Sequence, residues 1–160
     1  MSLNTPQNML VAATTDWLVR HWVKDRHHVA AGVLTSRGTH FGLHLDTSGC
    51  DFCAEPVAIA NALQSDDLTL RDIVAVFWDG DPSNPPCVIP PCGDCRQLLV
   101  EYAPDIHVII PEGDDLAAVS ASDLLPYPYA QTPRKVSVHD IKVRDDIAGE
   151  MYRLRNSDPH

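Results

Sequence analysis

Two short stretches, Cys53-Ala54-Glu55 and Pro91-Cys92-Gly93-Asp94-Cys95-Arg96-Gln97, decide the reading of this 160-residue chain. A Cys-x-x-Cys pair such as Cys92 and Cys95 clasps a metal from the first turn of a helix. A third thiol from elsewhere, here Cys53, completes three protein ligands. The fourth tetrahedral position is then open to water, which separates a catalytic zinc centre from a structural one. Glu55 stands two residues after Cys53, too near to act as an independent ligand. It is well placed to take a proton from that water and pass it to a leaving group.

A rival reading uses the same residues. Cys50-Asp51-Phe52-Cys53 is also a Cys-x-x-Cys, so Cys50, Cys53, Cys92 and Cys95 together form a four-thiolate set suited to a closed, non-catalytic zinc domain. That site has no use for Glu55 or for Arg96, and both Cys53 and Cys92 precede amphipathic runs rather than Gly-rich knuckles. The three-thiolate reading is therefore preferred, with Cys50 a buried or partly exposed free thiol near the site and Cys87 a packing residue. Arg96 has a physical role in it: three thiolates leave a zinc site with net negative charge, which hydrogen bonds from a guanidinium and positive helix ends withdraw. An ordinary surface arginine is the alternative.

These motifs resemble those of the cytidine deaminase superfamily, in the small three-cysteine branch that includes nucleoside cytidine deaminases and blasticidin S deaminase. Residues 29–35, a turn at Ser36-Arg37-Gly38 and Phe41-Gly42 resemble the family's first hairpin. His107-Val108-Ile109-Ile110-Pro111 and Leu124-Leu125-Pro126 resemble its later strand and C-terminal motif. The resemblance covers residues 10–130 approximately. It implies a zinc-dependent hydrolase that removes an exocyclic amino group from a small nitrogen heterocycle, most closely a cytidine-like nucleoside. One Zn2+ per subunit is implied, held by Cys53, Cys92 and Cys95, with Glu55 as catalytic acid and base and Ala54 contacting the base through its main chain. A homotetramer, or a dimer, follows in the same way.

The substrate-binding residues depart from the family pattern. Where nucleoside deaminases carry Asn-x-Glu on a strand before the first zinc cysteine, this chain has His44 and Asp46. Both side chains still hydrogen-bond a hydroxyl, but with different reach. His27 stands where the family has an aromatic, and Tyr129 aligns with an aromatic that closes a neighbouring subunit's site. Each has a plainer reading: a solvated His44, Asp46 as a turn residue, His27 at a charged helix end, Tyr129 in ordinary packing. These changes open the alternative of a different aminated substrate, a blasticidin-like compound or a modified base.

Bulk properties narrow the partners. The net charge of −10, from 12 basic and 22 acidic residues, and an aromatic content of 6% provide neither a phosphate track nor stacking platforms, so a nucleic-acid substrate is not expected. A small neutral or cationic molecule is. No stretch approaches the ~20 apolar residues of a membrane span, and no secretory leader is visible. Cysteines at metal spacing suit a reducing cytoplasm.

Apolar periodicity predicts a helix over residues 8–24, a hairpin over 28–35 and 39–46, and helices over 53–63 and 92–102. Strands are expected over 73–78 and 107–110, a proline-rich loop over 79–91 and a short helix over 121–125. This order predicts a three-layer α/β/α sandwich with a mixed, roughly five-stranded sheet. Residues 1–130 form the expected deaminase domain, and 131–160 an extension of unassigned role with a candidate strand over 136–143 and helix over 145–154.

Overall fold

The computed structural model describes residues 2–67 and 69–129. Helix α1 (Thr5–His21) starts upstream of where its apolar spacing begins, because a reciprocal cap fixes it there. The Asn4 side chain accepts from the Gln7 amide, and the Gln7 side chain accepts from the Asn4 amide, each at 3.0 Å. Strands β1 (Val29–Leu34) and β2 (Thr39–Leu43) form the expected hairpin. The chain then leaves the sheet for a two-stranded ribbon, β3 (Leu45–Asp46) with β4 (Asp51–Phe52), before α2 (Ala54–Gln64). There follow β5 (Asp72–Phe77), β6 (Cys87–Ile89), α3 (Gly93–Tyr102), β7 (His107–Glu112), β8 (Asp115–Ser120) and the single turn α4 (Ala121–Leu124).

The sheet order is β2-β1-β5-β7-β8, with β5 and β7 parallel and the other neighbours antiparallel. Two elements correct the sequence expectation. Residues 87–89 are not loop: β6 pairs with Ala75–Phe77, the part of β5 that β7 does not reach. Three residues between prolines suffice because an edge position tolerates proline on either side. No strand is expected between 110 and 121, yet β8 returns through Gly113 at φ +61, a glycine-led two-residue hairpin turn.

Successive strand residues face opposite layers, as the pleat requires. Ala30, Val74, Val76 and Ile109 pack with Leu10 and Leu18 of α1. Their neighbours Ala31, Ile73 and Val108 pack with Ala58 and Ile59 of α2 and Leu99 of α3. The sheet is thus covered on both faces, and each fully buried Leu or Ile contributes about 1.5–3 kcal/mol. Residues to Pro128 make up one compact unit. The strand and helix expected between 136 and 154 lie outside the described residues. Among those described, no helix is long and apolar enough to cross a membrane.

One contact sets the depth of α2 on the sheet. A Cβ at Gly42 of β2 would lie 2.3 Å from the Ala58 amide nitrogen and 2.4 Å from the Ala54 carbonyl oxygen, backbone atoms that move only with the helix. Gly42→Ala is expected to destabilise the protein by about 1–3 kcal/mol in urea denaturation. Gly49→Ala, where an added Cβ meets nothing within 4 Å, should stay within about 0.5 kcal/mol of the parent. Equal midpoints for the two variants would contradict this account of the packing.

Candidate active site

Helices α2 and α3 both begin at a cysteine. Cys53 and Cys92 occupy the two N-caps, and neither side chain makes a capping hydrogen bond. The first-turn amides of both helices are thereby left without side-chain caps, and their positive ends favour negative charge at the sulfurs. Cys95, one turn into α3, is buried. The three Sγ atoms lie within 4.8 Å of one another, and those of Cys53 and Cys92 are 3.5 Å apart. A tetrahedral ion with metal–sulfur bonds of ~2.3 Å sets its sulfurs about 3.8 Å apart. The donor set therefore fits a zinc ion in spacing and in chemistry. Cys50 is exposed, not buried, and does not join the group, which among the described residues is the one such cluster. The four-sulfur alternative lacks its fourth member.

Electrostatics agree with a cation at this point. Burial pushes the Cys53 thiol up to about 11, and its neighbour Cys92 adds to the shift. Burial likewise raises Cys95, helped by the nearby Glu55 charge. Glu55 is only 6% exposed, and burial lifts its carboxyl above the ordinary value, against the hydrogen bonds it accepts from its own amide and the Cys95 thiol. Three thiols and a carboxylate this close repel as anions, although Cys92 is exposed and Cys53 half-buried; a divalent cation between them reverses that sign.

A cavity of about 140 Å³ opens on the cluster, lined by Cys53, Ala54, Glu55, Cys92, His44 and Ile89 among others. It lies at the carboxyl end of β5, where Phe77 pairs with Val29. A larger cleft of about 500 Å³ sits where β5 and β7 begin. Its buried polar groups already satisfy each other, Gln7 Nε2 donating to Asp72 at 2.7 Å, so size alone does not mark the site.

No protein-family model matches the chain. It is 29% identical over 127 residues to the blasticidin-S deaminase of Bacillus cereus, spanning 76% of this chain and 91% of that protein. Over 106 residues it is 32% identical to the cytidine deaminase of Halalkalibacterium halodurans, spanning 63% of this chain and 76% of the relative. The chain belongs to the cytidine deaminase superfamily. Its fold is that of the superfamily too. The cytidine deaminase of Bacillus anthracis superposes with a TM-score of 0.67 at 16% identity, over 93% of this chain and 97% of that one. That of Mycobacterium tuberculosis gives 0.62 at 24% identity, over 79% and 99%.

Within this superfamily member the residues singled out from sequence separate into two groups. Cys53, Cys92, Glu55, Ala54 and His44 line the cavity, and Cys95 joins Cys53 and Cys92 in the sulfur cluster beside it. His27 and Asp46 do not line it. His27 instead donates from Nδ1 to the His44 carbonyl at 2.8 Å, and Asp46 is bound through its backbone to Arg26. The reason is the departure of the chain from β2 into the ribbon immediately after His44. Tyr129 is 73% exposed and lies outside the compact unit.

Arg96 requires a correction. Its guanidinium donates to the Pro91 carbonyl at 2.9 Å and to the Leu124 carbonyl at 3.5 Å rather than to sulfur. It braces the turn that presents Cys92 and ties α3 to the end of α4. Cys87 is exposed at the start of β6. Sequence reasoning missed Asp51, whose carboxylate accepts from His44 Nε2. Its only signal in the chain was its place between Cys50 and Cys53, which read as a metal knuckle.

Zinc analysis of dialysed variants tests the cluster. Cys53→Ser, Cys92→Ser and Cys95→Ser should each lower zinc affinity by more than about 100-fold, beyond the ~10–100-fold cost of losing an outer contact. Cys50→Ser should keep one ion per chain. Zinc lost on removing Cys50 would restore the four-sulfur site.

Proposed function

We propose that this protein is a zinc-dependent hydrolytic deaminase of a small amino-substituted heterocycle, with a cytidine-like nucleoside as the first choice of substrate. The observation that carries the reading is a cluster of three thiols, two of which line one cavity together with a buried carboxyl, Glu55. A zinc ion held by Cys53, Cys92 and Cys95 supplies Lewis acidity that makes water a nucleophile near neutral pH.

The protein's own part is proton handling and placement. Glu55 takes one proton from the attacking water at its carboxylate and delivers it to the ring nitrogen, then takes the remaining hydroxyl proton and passes it to the amine, which leaves as ammonia. Its burial suits both directions, because a carboxyl raised towards neutrality holds and releases a proton more evenly than a solvated one. Ala54, in the first turn of α2, presents backbone polar groups to the ring. His44 marks the cavity wall that meets the remainder of the substrate.

A second reading keeps the chemistry and changes the substrate to another aminated compound of the blasticidin S kind. Two observations favour it: His44 replaces the nucleoside-binding asparagine, and the relative named for blasticidin-S is matched over 91% of its length. A homotetramer is the assembly we favour, with Tyr129 as the aromatic offered to a neighbouring site. Apolar Leu45, Phe52 and Phe77 are exposed on this chain and available to such an interface. The free thiols suit the cytoplasm.

Ammonia release from cytidine, deoxycytidine, cytosine, adenine and guanine compounds and blasticidin S measures the activity directly. Release from cytidine or blasticidin S is expected. Glu55→Gln should lower kcat by more than about 1,000-fold while zinc stays bound, because one carboxyl serves as both base and acid, each worth ~10²–10⁴-fold. Silence of the zinc-loaded parent across the panel would end the deaminase reading.

A further inference from the structure

His44 is held on three sides. Its amide donates to the Val29 carbonyl at 2.9 Å, its carbonyl accepts from His27 Nδ1, and its Nε2 donates to the Asp51 carboxylate. The remaining ring nitrogen, Nδ1, is buried and has no partner among the described residues, in a side chain that lines the cavity. Orphaned buried polar atoms are rare in native proteins, and one in a cavity wall is accounted for when a bound molecule completes it.

Asp51 decides what that atom asks for. An ionised carboxylate only accepts, so the Nε2 position carries the hydrogen; a ring with that one hydrogen has its lone pair at Nδ1. We propose that Asp51 is a positioning residue for substrate recognition: it fixes Nδ1 of His44 as a hydrogen-bond acceptor in the cavity. The site thereby selects amino-heterocycles whose attached group carries a hydrogen-bond donor, a hydroxyl or an amine. This deepens the deaminase reading and rests on it. The acidic partner comes from β4 and not from Asp46, although the two residues face each other across the ribbon. Neighbouring charge agrees with the choice, since Glu55 and Asp51 are both carboxyls and neither draws an anionic group to this wall.

Three cytosine derivatives separate the possibilities: cytidine with free hydroxyls, its tri-O-methyl derivative, which only accepts, and 1-(3-aminopropyl)cytosine. For each, KM and kcat are measured by ammonia release, and the dissociation constant by calorimetry. Asp51→Asn should raise KM and the dissociation constant of the donor-bearing compounds by about tenfold, the cost of one misdirected hydrogen bond. Its kcat should stay within about threefold, the pattern of lost uniform binding. Asp51→Glu should restore much of the affinity, and Asp51→Ser should behave as Asp51→Asn. The tri-O-methyl compound should bind the parent weakly and ignore all three changes.

The more strongly affected donor, hydroxyl or amine, names the substrate group. An equal loss for the tri-O-methyl compound would show a merely structural role and overturn the proposal. So would a parent that prefers the methylated compound, since Nδ1 would then be donating. Asp51 is 72% exposed, and an unchanged thermal midpoint and zinc content verify that the variants fold. If the parent binds these compounds but releases no ammonia, the deaminase reading fails while the calorimetric comparison still decides the role of Asp51.

Discussion

Two helices that start at the same point in space are the constraint on which the rest of this structure depends. Cys53 and Cys92 stand at N-caps, positions where Ser, Thr, Asp or Asn ordinarily satisfy the first amides. Neither thiol does so, and the fold forgoes local helix stability to bring both sulfurs within 3.5 Å. The approach is enforced from several sides. Gly42 lets α2 sink onto β2 until helix backbone fills the place of a side chain. Arg96 pins the Pro91 carbonyl just before Cys92 and reaches the end of α4. Leu99 and Ile59 share one core with Ile73 and Val108, so neither helix shifts without opening the layer beneath it.

The same constraint settles the charge of the site. Burial makes thiolates and carboxylates costly, which is why Cys53, Cys95 and Glu55 all move towards their protonated forms. A structural network would pair such groups with arginine or lysine, yet the Arg96 guanidinium donates its hydrogen bonds to carbonyls. The positive ends of two helices offset part of that cost, and a cation held by the sulfurs would offset more. Burial that is unfavourable for an anion is useful for a proton carrier. The geometry that suits a cation thus also raises the affinity of Glu55 for a proton.

Much of this was legible in the chain because metal spacing is a local property. Cys92 and Cys95 fall on one helix turn, and Glu55 identifies Cys53 as a partner from far away in sequence. The layers followed from the alternation of elements, since a buried strand such as β5 and amphipathic runs such as α3 leave few other arrangements. What escaped was held by register. β6 and β8 are edge strands whose pairing depends on where β5 and β7 end. Arg96 reads from sequence as a neighbour of Cys95, yet its side chain runs back to Pro91. Asp51 reaches His44 only because the ribbon folds β4 beside β3.

That difference in legibility mirrors a division of labour. On the proposed reading, the reacting groups sit in the first turns of two helices whose Ala54, Glu55 and Cys95 are buried, where the packing resists a shift of a fraction of an ångström. The atoms that would distinguish one substrate from another sit between residues 44 and 52, in a segment that has left the main sheet and is held by hydrogen bonds to Arg26, His27 and Val29. A segment held by such contacts tolerates substitution more readily than a packed strand. Exchanging an asparagine for a His44–Asp51 pair there alters the shape and polarity of one wall and leaves the sulfurs and Glu55 where they are. The proposed division is compatible with relatives named for cytidine and for blasticidin-S: it keeps the sulfurs and Glu55 on two helices and gives the choice of substrate to a short excursion at the end of a strand.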